Sequence, residues 1–204
     1  MIKKSIIFFV IVFVSFFIYQ KKFKNSNLEI WDLVPAKSVM IIEIYDPLDR
    51  WNKFSSSVNE DQFRDFRKLI DKNISELNSF LNNKLNVLVN NNNLIVSVSK
   101  TSKEDFDLLF TSNSKNLDFQ YVLKKAKDSL SFDITTRDFN DEKIYDFSDG
   151  TNFFSVVVLN NFISVSKNTL LIEDVIRTSQ NKNLSFKNIN EYLFNQVMVQ
   201  NDFG

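Results

Sequence analysis

Three groups of side chains in this 204-residue sequence have the types and spacing to do chemistry. The first is an acidic run, Asp138, Asp141, Glu142, Asp146 and Asp149. Clustered carboxylates bind Ca²⁺ outside the cytoplasm, but an EF-type loop would need Tyr145 at its first liganding position. The run therefore reads as the solvated rim of a hairpin. The second group, Glu43, Asp46 and Asp49, could supply the two carboxylates of a glycoside hydrolase. Asp46 directly precedes Pro47, however, and fits a helix N-cap better. The third is a serine beside a lysine, at Ser99-Lys100 and Ser166-Lys167. A Ser–Lys nucleophile needs the two side chains together, whereas neighbours on a strand point to opposite faces.

The exclusions are firmer. With no His and no Cys, a Ser-His-Asp triad, a cysteine nucleophile, a thiolate zinc site and haem ligation by His are all out of reach. Two glycines cannot build a G-x-G-x-x-G or Walker loop. No catalytic, cofactor-binding or metal-ligating residue is assigned, and no cofactor is expected. Asn73-Ile74-Ser75 and Asn183-Leu184-Ser185 match the glycosylation pattern, as an Asn-rich chain will by chance.

The elements that carry these residues are legible from periodicity. Ser38–Tyr45 alternates as a first strand, and Asp46-Pro47 opens a short helix with Trp51 and Phe54 inward. Asp61–Leu81 repeats Phe63, Phe66, Ile70, Ile74, Leu77 and Leu81 at helical spacing. Leu94–Ser99 and Asp105–Thr111 read as paired strands. Leu117–Leu130 is an amphipathic helix capped by Asn116 or Asp118. Lys143–Ser148, Asn152–Leu159 and Phe162–Ser166 form a meander turning at Asp149-Gly150 and Asn160-Asn161. Phe132–Arg137 is a fourth strand if it pairs with them. Helices at Thr169–Ser179 and Ile189–Val199 follow. This order predicts an α+β fold, an antiparallel sheet with helices packed on one face. The passages Leu94–Leu130 and Lys143–Ser179 also resemble each other weakly.

Ahead of this domain lies Ser5–Tyr19, SIIFFVIVFVSFFIY, without charge, Gly or Pro. It is short of the roughly 20 residues of a spanning helix, but Lys3, Lys4, Lys21, Lys22 and Lys24 can snorkel to the headgroups. No small-x-small cleavage site follows. The expectation is a retained single transmembrane helix, with a cleaved signal and a buried core helix as alternatives. The short N-terminal tail puts the N-terminus in the cytoplasm and exports the rest, against the pull of the three lysines that follow the run. The expected division is an anchor over 1–24, a tether over 25–37 and an exported periplasmic domain over 38–204. Trp31 belongs either at the membrane interface or against the domain edge. Five of the 25 basic residues precede Glu29 and none of the 25 acidic ones does, so the exported part carries a charge near −5. Such a domain suits no nucleic-acid partner.

Read together, the anchor, Trp31-Asp32-Leu33-Val34-Pro35 and the strand after it resemble uncharacterised membrane-anchored envelope proteins of Bacteroidota. Phe162-Ile163-Ser164-Val165-Ser166-Lys167 with the helix Thr169–Ser179 resembles their strand–helix passages. The resemblance implies an envelope location and a chain that is generally longer. It implies no known activity and transfers no catalytic residue. The function expected is a non-catalytic interaction or scaffolding domain, with the membrane bound through Ser5–Tyr19 and an envelope protein as partner. A lipid- or small-ligand-binding domain, suggested by the 22 Phe residues, and a carboxylate-based hydrolase are the alternatives.

Overall fold

A computed structural model describes residues 28–45, 67–76, 93–102, 105–115, 117–129, 132–192 and 194–195. The Ser5–Tyr19 run, the Asp46-Pro47 helix start, both ends of the Asp61–Leu81 helix and part of Ile189–Val199 lie outside them. Among the described residues no helix is long and apolar enough to cross a membrane.

Seven strands form one fully antiparallel sheet: β1 (Ser38–Tyr45), β2 (Asn93–Lys100), β3 (Phe106–Asn113), β4 (Asp133–Phe139), β5 (Glu142–Ser148), β6 (Phe153–Leu159) and β7 (Phe162–Ser166). Their order is β1-β2-β3-β7-β6-β5-β4. Two meanders, β1–β3 and β4–β7, thus meet where β3 pairs with β7, from Leu109 opposite Ser166 to Asn113 opposite Phe162. Phe132–Arg137 does pair, as β4 along the outer side of β5.

Local chemistry fixes the turns. Asn140 and Asp141, both at positive φ, close β4–β5 in two residues. Asn and Asp tolerate that region better than other side chains. Gly150, at φ 84°, sits in the longer loop between β5 and β6, where the Asp149 carboxylate accepts from the amides of Thr151 (2.9 Å) and Asn152 (2.6 Å).

Helices cover both faces, which corrects the one-face expectation. Strand register puts Ile44, Val96, Phe110, Val165, Val156 and Phe147 on one side of the sheet. They pack there with Ile70 of the helical stretch 67–76 and with Val122 and Ala126 of α1 (Phe119–Ser129). Asp118 caps α1 through the Tyr121 amide. The opposite side offers Leu109, Ile144, Val157 and Leu159 to Leu171, Ile172, Val175 and Ile176 of α2 (Thr169–Gln180). The physical reason is that the central strands are buried on both parities. Leu94 to Ser99 of β2 and Leu108 to Ser112 of β3 are buried without a break, and a sheet buried twice needs two covering layers.

The two hairpin-and-helix passages therefore share an order of elements but not a geometry. A two-fold axis between β3 and β7 would keep both helices on one side, whereas α1 and α2 take opposite sides.

Residues 28–37, assigned to a tether from the sequence, belong to this second layer. Ile30–Leu33 is a turn of 3-10 helix whose Leu33 is fully buried, as is Val34. Trp31 packs edge-on against Phe194, ring centroids 4.8 Å apart. A short 3-10 turn, Lys182–Leu184, and α3 (Phe186–Ile189) return the chain to this segment. Pro35 bridges Ser185, and the Phe186 amide donates to the Val34 carbonyl at 2.8 Å.

Candidate functional site

The structure disperses the chemical groupings named above. Asp146 turns inward and accepts from Arg137 Nε at 3.0 Å and from the Ser155 hydroxyl at 2.5 Å. Asp141 lies in the tight turn and Asp149 caps the loop before β6. Hydrogen bonds from Asn152 and the Thr151 amide hold the Asp149 carboxyl below its ordinary value. Among the described residues no three Asp or Glu side chains converge on a metal-sized site. Glu43 accepts from the Asn93 side chain at 2.8 Å, while Asp46 and Asp49 lie outside the described residues.

Ser166 and Lys167 separate across the sheet, as alternation along a strand predicts. The Ser166 hydroxyl donates to the Leu108 carbonyl at 2.8 Å on the α2 side. Lys167 instead pairs with Glu76 and lies 5.6 Å from the Phe154 ring centroid, on the α1 side. Ser99 is buried while Lys100 is exposed. Asn73 uses its side-chain amide on the Leu69 carbonyl inside its helix. Asn183 is exposed in the 3-10 turn.

Sequence reasoning missed a polar lane buried under the α2 layer. Register aligns Ser97, Leu109, Ser166, Ser155 and Asp146 across five strands. A second row aligns Ile95, Thr111, Ser164, Val157, Ile144 and Arg137. Thr111 and Ser164 share a hydrogen bond at 3.0 Å. At the lane's outer end Arg137 reaches Asp146, Glu173 Oε1 (2.9 Å) and the Thr169 hydroxyl, clamping β4 and β5 to α2. Asp107 is held by Thr101 and Asn168, each at 2.7 Å. Among the described residues, the buried hydroxyls of Ser38, Ser97 and Ser99 have no hydrogen-bond partner. The available signal was serine or threonine at alternate positions in otherwise apolar strands, which from sequence reads as a solvent face.

Phe110, Phe132, Phe147 and Phe154 are buried core residues, with Phe132 edge-on to Phe147. Among the described strands, β4 presents a long polar surface. Asp133, Thr135, Thr136 and Asp138 are exposed along it, and among the described residues nothing pairs with its outer side. Compared with protein-family models, curated proteins and solved structures, the chain matches none.

Proposed function

We propose that this chain is a membrane-anchored, non-catalytic interaction domain of the cell envelope that holds a partner by adding a strand to β4. The supporting observation is how its polar groups are used. Arg137, Asp146, Glu173 and Asp107 are engaged with one another or with neighbouring Ser, Thr and Asn side chains. Among the described residues nothing pairs with the outer row of backbone groups of β4, which Asp133 and Asp138 frame. An open sheet edge recognises an extended segment through main-chain hydrogen bonds, and side-chain pairs select which segment. The two aspartates favour a partner strand carrying Lys or Arg. The anchor, Ser5–Tyr19, would confine the domain to the membrane plane and raise its effective concentration toward partners held there.

The test is site-specific photo-crosslinking from Thr136 in intact membranes. One discrete adduct is expected, abolished by Asp138→Pro, which removes an amide that faces outward from β4, and retained in Lys124→Ala on α1. No adduct, or one indifferent to the proline, overturns the proposal. So does hydrolytic activity in the purified chain that depends on its carboxylates.

A further inference from the structure

We infer that the outer surface of the Lys182–Tyr192 segment is a second membrane contact, seated in the headgroup–acyl boundary of the bilayer that holds the anchor. This rests on the anchor reading of Ser5–Tyr19. Three large apolar side chains stand in solvent within nine residues: Leu184 is 44 % exposed, Ile189 58 % and Tyr192 74 %. They are not stray. Phe186, Asn190 and Phe194 are half-buried, with Phe194 on Trp31. Ile189 ends α3 and Tyr192 follows its C-cap Asn190, and both side chains are exposed. Three exposed apolar side chains grouped in one short segment suit the membrane interface, where Tyr is favoured.

The position of this surface argues for lipid over other occupants. The segment is tied to the entry of the chain, through Pro35–Ser185, Ala36 N to the Leu184 carbonyl (3.1 Å), Lys182 to Asp32 (2.6 Å) and Lys187 to Glu29 (2.5 Å). Leu28, the first described residue, is nine residues beyond Tyr19. Even fully extended, that stretch reaches about 30 Å, so the surface stays beside the bilayer. Lys182 and Lys187 are paired with acidic residues, so attachment comes from inserting Leu184, Ile189 and Tyr192. It is independent of anionic lipid, unlike a polybasic contact.

The chain has no Cys, so single-cysteine labelling is unambiguous. The full chain would be reconstituted in phosphatidylcholine vesicles as Ile189→Cys and Tyr192→Cys, each carrying an environment-sensitive fluorophore. Lys124→Cys on α1, beyond the opposite sheet face, is the control. Lipids brominated near the headgroup should quench the labels at 189 and 192 at least about twofold more than at 124, with equal effect when one-third of the lipid is anionic. Equal quenching at all three sites, in a chain that remains in the vesicles after an alkaline wash, overturns this inference and leaves the anchor standing. Energy transfer between labelled copies without quenching assigns the surface to a second copy and overturns it too. A chain that washes off the vesicles overturns the anchor reading itself.

Discussion

Arg137→Met should loosen one edge of the sheet and leave the other intact. The guanidinium makes three charge-assisted or polar contacts, to Asp146, Glu173 and Thr169. Its own side chain is 33 % exposed, its carboxylate partners 14 % and 15 %. Breaking a fully buried pair costs about 3–5 kcal/mol and an exposed one about 0–1 kcal/mol. A third-exposed arginine over mostly covered carboxylates lies between, at about 2 kcal/mol. Methionine keeps the aliphatic stem, so the loss reflects charge and hydrogen bonding more than packing. Asp146 keeps its Ser155 hydroxyl, and Glu173 keeps Arg177 at 3.3 Å, which holds the figure below the buried limit. The assay is urea unfolding of the detergent-solubilised chain, paired with hydrogen exchange resolved by strand. The midpoint should fall with an unchanged slope. Amides of β4 and β5 should exchange faster, while β2 and β3 stay protected in the native baseline. A double cycle with Glu173→Gln should show coupling of about 1 kcal/mol. A loss under about 0.5 kcal/mol, or exchange rising equally in β2, would refute the clamp.

The two other predictions concern single polar groups. Ser97→Ala removes a buried hydroxyl that has no partner among the described residues, so it should stabilise the fold by about 1 kcal/mol; a destabilisation in urea titration would show that the hydroxyl is bonded. The Asp149 carboxyl, held low by Asn152 and Thr151, should titrate by carboxyl-carbon NMR below its ordinary 3.8. Because its folded pKa is depressed, its contribution is complete above the unfolded value and fades as pH falls through the folded one. Asp149→Asn should flatten that acid limb, and an unchanged limb would discount the loop's hydrogen bonds.

Local order in this protein is written locally. The alternation of Ser38–Tyr45 marks β1 at both ends, and Asp118, Asn160 and Gly150 mark a cap, a turn and a loop from their own side-chain chemistry. The tight turn at Asn140-Asp141 rests on the same local chemistry, inside an acidic run whose composition also suits ion binding. What did not show was anything set by residues far apart. Ser97, Ser164 and Ser166 look like a wet face because hydroxyls are polar, yet they are small and most bond within the sheet, so a helix layer can close over them. That is why one covering layer was expected and two are found. Arg137 gave no signal, since its partners lie 9, 32 and 36 residues away. The burial of Leu33 and Val34 depends likewise on Ser185 and α2.

The Pro35–Ser185 seam also sets a schedule. Residue 35 is made long before residue 185, so the second layer cannot close until synthesis has passed residue 185. The β4–β7 meander needs only neighbours in sequence and can form early. Until the seam shuts, Leu33, Val34 and the apolar face of α2 stay without their final cover. A nascent chain stalled short of residue 185 would therefore be the species most in need of a chaperone, and the seam's closure marks the moment it is released.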